Sequence, residues 1–84
     1  MLIKIEGLED ISNFYIEASK VDGEVMCRRG KYTVDGKSLL GVIAIDPSMG
    51  ILVTYPKDAK DFENFISQFA ILNHENIETI DDED

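Results

Sequence analysis

Apolar and polar positions alternate at the start of the chain. Leu2, Ile3 and Ile5 stand against Lys4 and Glu6, which predicts a first strand over 2–6 that Gly7 breaks. The period then lengthens. Leu8, Ile11, Phe14, Tyr15 and Ala18 fall three and four apart, so they share one face of a helix from residue 8 or 9 to about 20. Glu9 and Asp10 lie in its first turn and Lys20 in its last, matching the helix dipole, and Asp22-Gly23 ends it. Glu24 to Arg28 and Lys31 to Val34 are β-type runs joined through Arg29-Gly30, which predicts a hairpin. Asp35-Gly36 is a turn, and Ser38 a candidate N-cap, its hydroxyl able to accept from an unpaired amide of the first helical turn. The almost wholly apolar run behind it fits two or three helical turns and ends at Asp46-Pro47, because a residue before proline disfavours helical angles. Pro47 to Gly50 reads as a turn. Ile51 to Tyr55 is nearly continuously apolar, as expected of a strand in the middle of a sheet, and Pro56 closes it. Asp58 can cap a last helix from Ala59 to about Ala70, with Phe62, Phe65, Ile66 and Phe69 as its buried stripe and Asp61, Glu63, Asn64 and Gln68 on the wet side. The order β-α-β-β-α-β-α, with a hairpin in it, predicts an α+β open-faced sandwich: a four-stranded antiparallel sheet with helices on one face.

The length of 84 residues allows one small core, built without disulfides because Cys27 is the single cysteine. Cys27 reads as a small core hydrophobe, with no histidine nearby to activate it. The net charge of −9 argues against nucleic acid as the main partner. Six of those nine net charges fall among Glu75, Glu78, Asp81, Asp82, Glu83 and Asp84. The expected division is therefore a folded domain over 1–72 and an acidic tail over 73–84, either solubilising or docking. No secretory pattern and no membrane-length apolar run is visible, which gives the cytoplasm as the expected location. No metal constellation, glycine-rich phosphate loop or nucleophile triad stands out, so neither a cofactor nor an enzymatic activity is expected.

From Ile11 to Tyr55 the chain resembles, without gaps, HPr, the histidine-containing phosphocarrier family of the bacterial sugar phosphotransferase system. Ala18-Ser19-Lys20 is similar to the family's A-S-K at the end of the first helix. Lys37-Ser38-Leu39-Leu40-Gly41-Val42 is similar to its K-S-[ILM]-[ML]-G-[VIL]. The departure lies at the phosphoryl loop. The family carries G-[LI]-H-A-R-P there, with the histidine as acceptor and the arginine holding the phosphate charge. This chain has Glu6-Gly7-Leu8-Glu9-Asp10-Ile11. The histidine position falls on Gly7 or on Glu9, depending on the alignment, and the loop is several residues shorter. His74, the single histidine, lies beyond the last helix and reads as a surface imidazole.

The resemblance implies a regulatory or adaptor member without histidine phosphocarrier activity. In the family's regulatory branch the serine of the K-S motif is phosphorylated by a dedicated kinase, and the product binds a transcription regulator. Ser38 is then the candidate phospho-acceptor, unless it serves only as a cap. Leu39, Leu40 and Ile43 would form an apolar patch for protein partners, with Val42 and Ile45 facing inward. Arg28 and Arg29 read as a solvated hairpin tip or as a contact for an anionic group. The alternatives are a structural or oligomerising interaction domain, and a phosphocarrier whose acceptor has moved. Glu9-Asp10 reads as a dipole match at a helix start, with weak cation binding as the alternative.

Overall fold

The computed structural model describes residues 1–71. Four strands and three α-helices form among them: β1 (Leu2–Ile3), α1 (Leu8–Ser19), β2 (Met26–Arg29), β3 (Tyr32–Asp35), α2 (Leu39–Ile45), β4 (Ile51–Thr54) and α3 (Lys60–Ile66), with 3₁₀ turns at Pro47–Met49 and Ser67–Phe69. The order is the one the apolar pattern predicts. The sheet runs β1-β4-β2-β3 with every pairing antiparallel. Leu52 of β4 lies between Leu2 of β1 and Arg28 of β2, so β4 is an interior strand, as its apolar run requires.

One core holds the layers together. The sheet contributes Ile3, Cys27, Ile51 and Val53; α1 contributes Ile11, Phe14 and Ala18; α2 contributes Val42 and Ile45; α3 contributes Phe62 and Ile66. All three helices therefore cover the same face, and the architecture is an α+β open-faced sandwich. Phe14 and Phe62 meet with ring centroids 5.7 Å apart and bind α1 to α3. No helix among the described residues is long and apolar enough to cross a membrane. The expected acidic tail and His74 lie outside the described residues.

Several boundaries differ from the pattern for physical reasons. β1 leaves the ladder after Ile3, because Lys4 N–H bonds the carbonyl of Phe69 and Ile5 N–H that of Pro47. The alternation still holds at Ile5, which is fully buried. The hairpin turn is Gly30-Lys31 rather than Arg29-Gly30, with Arg29 paired to Tyr32. Gly30 has φ 60°, the conformation that the first position of a II′ turn demands of a glycine. In α1 the buried stripe centres on Ile11, Phe14 and Ala18; Leu8 stands at its shoulder and is 71% exposed. Lys20 is the C-cap of α1 rather than a member of its last turn.

The last helix starts and stops inside its expected span. Its N-cap is Ala59, and the Asp58 side chain makes no capping bond; the Asp58 carbonyl accepts from Lys60 N–H instead. It ends at Ile66 because the chain beyond is captured by the first strand. Ala70 bridges Ile3, and Ile71 N–H donates to the Leu2 carbonyl.

Candidate functional site

The short helix α2 is fixed from both ends. At its start, Asp35 Oδ1 accepts from Lys37 N–H at 2.8 Å, and the Asp35 carbonyl accepts from Ser38 N–H at 3.0 Å. Gly36 is buried with its N–H 2.6 Å from the Val25 carbonyl oxygen. A Cβ there would lie 2.7 Å from Val25 Cγ1, so the turn approaches β2 more closely than a side chain permits. Ser38 then takes extended angles (φ −108°, ψ 109°), and its Oγ accepts from Gly41 N–H at 3.2 Å. This is the N-cap the sequence predicts. The Lys37 ammonium reaches across to the Val21 carbonyl at 2.7 Å and ties the K-S turn to the end of α1.

Along α2, Val42 and Ile45 are buried. The opposite side carries Leu39, Leu40 and Ile43, which are 37%, 80% and 41% exposed. Gly41 lets the helix lie close on β3: a Cβ there would meet that of Val34 at 3.3 Å. At the far end Asp46 adopts the left-handed region (φ 57°, ψ 74°), the only non-glycine among the described residues to do so. The proline behind it disfavours helical angles, and Ser48 Oγ donates to Asp46 Oδ1 at 2.6 Å.

Arg29 is not part of a solvated hairpin tip. Its Nε–H donates to the Ile45 carbonyl at 2.7 Å, so it caps the C-terminus of α2 with a positive charge. Position in the sequence gave no sign of this pairing, which joins residues 16 apart. The Arg28 side chain is half-buried on β2. A groove of about 310 Å³ runs beside the same helix end, lined by Arg29, Tyr32, Val34, Ala44 and Ile45.

The remaining candidates lie elsewhere. Gly7 (φ 99°) is the N-cap of α1 without a side-chain bond, and Glu9 and Asp10 occupy the first turn behind it. Among the described residues no three His, Cys, Asp or Glu side chains cluster as metal ligands. Cys27 is fully buried in the sheet. Desolvation, helped by the negative charge of Asp35, pushes its thiol from an ordinary 9.0 up to about 12. A thiol that stays protonated in a packed core is a poor nucleophile.

The arrangement defines a class no narrower than an α+β open-faced sandwich with an exposed serine cap and an exposed apolar helix side. Comparison with protein-family models, with curated proteins and with solved structures finds no match to this chain.

Proposed function

We propose that the protein is a regulatory or adaptor relative of the HPr family, acting by protein–protein binding through α2 and switched by phosphorylation of Ser38. One observation carries this reading. An exposed serine hydroxyl at the head of α2 adjoins the exposed Leu39, Leu40 and Ile43 on the same element. A modification at the first would therefore alter the charge beside the second. A phosphate at the N-cap faces the unpaired amides of the first helical turn and the positive end of the dipole, so α2 can accept it without melting. On this reading the partners are proteins: a serine kinase of the HPr system and a transcription regulator. It needs neither a cofactor nor an activity of the domain's own. It is a cytoplasmic role.

Histidine phosphorelay has no support in the α1 loop, where Glu9 and Asp10 would repel a phosphoryl group. The test uses the full chain and its Ser38→Ala variant with ATP and a kinase specific for the HPr serine, read by intact mass. One added phosphate on the parent and none on the variant is the expected result. Failure of the parent to gain phosphate returns Ser38 to the role of a cap. In parallel, the general phosphotransferase enzyme with phosphoenolpyruvate should leave no acid-labile phosphate on the chain.

A further inference from the structure

The two edges of the sheet are not alike. The β1 edge is covered, since Ala70 bridges Ile3 and Ile71 N–H donates to Leu2. The β3 edge has no strand beside it among the described residues. Its backbone pattern follows from the hairpin. Arg29 and Tyr32 close a two-residue loop, which makes them a hydrogen-bonded pair, and such pairs then recur at every second position. Cys27 and Val34 form the next one, and the bond from Gly36 N–H to the Val25 carbonyl fits the one after. Thr33 lies between them, so its N–H and C=O both turn outward, away from β2. Thr33 is exposed.

We propose that β3 is a homodimer interface, in which two copies pair antiparallel about a two-fold axis at Thr33 and join their sheets into one. In this register the strand is complementary to itself in charge. With Thr33 opposite its own copy, the turn residue Lys31, just ahead of the strand, comes opposite Asp35 and Asp35 opposite Lys31, so the charges match on both sides of the axis. Lys31 makes no ion pair among the described residues, and Asp35 uses one carboxylate oxygen, Oδ1, for the Lys37 amide. The same register sets Tyr32 opposite Val34. Both side chains stand on the α2 side of the sheet, since they alternate with Thr33 and Val34 packs on the core. Tyr32 is 71% exposed, and with Val34 it lines the groove that Arg29, Ala44 and Ile45 complete. The pairing thus sets each tyrosine against Val34 of the other copy and brings the two grooves side by side. An open edge, a charge match and a cross-strand contact of Tyr32 with Val34 coincide in one arrangement. The occupant that satisfies all three is a second copy of this chain, and its contact does not involve Ser38.

The test is sedimentation velocity of the full chain across a concentration series, with far-UV circular dichroism to confirm that each variant is folded. The parent should show a reversible monomer–dimer equilibrium. Thr33→Pro removes an outward N–H while sparing the ladder to β2, so it should abolish the dimer. Lys31→Glu puts like charges opposite each other at both ends and should weaken the dimer by about tenfold or more. Asp35→Lys should do the same. Mixing Lys31→Glu with Asp35→Lys restores opposite charges at both ends, and the mixture should form heterodimers where neither variant alone self-associates. A parent that stays monomeric throughout overturns the proposal. So does a dimer indifferent to Thr33→Pro and to the charge variants, which would instead place the contact on another surface such as Leu39, Leu40 and Ile43.

Discussion

At the scale of single residues, environment decides what a side chain can do. Cys27 sits with no exposure between Val34 and Val53 in the ladder, which withholds water from its thiolate. In the unfolded chain the thiol ionises near its ordinary 9.0, whereas in the fold it holds its proton to about 12. The folded state thus binds more protons in that window, and stability should fall as pH rises from about 9 toward 12. Denaturant titrations of parent and Cys27→Ala across this range check it, because the variant should lose the part of the slope that Cys27 causes. A thiol reagent at neutral pH should label the parent only after denaturant is added. The inertness of Cys27 was legible in the sequence, since an apolar strand pattern with no histidine nearby already implied it. The Ser38 cap was legible for a similar reason: its bond to Gly41 N–H is local, and local chemistry is written in adjacent residues. The left-handed Asp46 was half legible. Proline forbids the helix to continue, but does not say which angles replace it.

At the scale of elements, α2 depends on partners from other parts of the chain. Arg29 on β2 holds its last carbonyls, and Lys37 ties its leading turn to α1. Replacing Arg29 with Met keeps most of the stem and removes the donor. A charge-assisted bond of this kind contributes about 1.5–3 kcal/mol. Arg29→Met should therefore lower stability by about 1–2 kcal/mol in urea denaturation, the half-exposure of the site weakening the effect. Hydrogen exchange should quicken most at the amides near Ile45, while the first turn behind Ser38 keeps its protection. This support escaped the sequence reading because the arginine and its acceptor meet only after the hairpin and helix have packed. The end of α3 escaped for the same reason. The phenylalanine stripe runs on past Ile66, yet β1 draws residues 69–71 to its edge and ends the α-helix early.

At the scale of the whole molecule, the apolar periods alone gave the layer order, the antiparallel hairpin and the interior place of β4. They could not give the strand order, which depends on pairings between residues far apart. The core is small enough for one side chain to matter. Phe62 touches both Phe14 and Tyr55, with ring centroids at 5.7 and 5.6 Å. A buried Phe→Ala change costs about 3–5 kcal/mol, against about 4–10 kcal/mol for a domain of this size. Phe62→Ala should therefore remove a large share of the domain's stability and lower its urea midpoint in far-UV circular dichroism, a shift that the solvated Asn64→Ala does not cause. The sheet order also has a consequence in time. Leu2 pairs with Leu52, and no other strand neighbours β1 in the sheet. A ribosome adding about 5–20 residues per second needs about 2.5–10 s to travel from one to the other. Within that interval the first helix and the hairpin are made in turn, while Leu2 and Ile3 have no strand to join. The sheet can therefore close only after β4 has been made, and a chaperone would find the first apolar segment exposed until then.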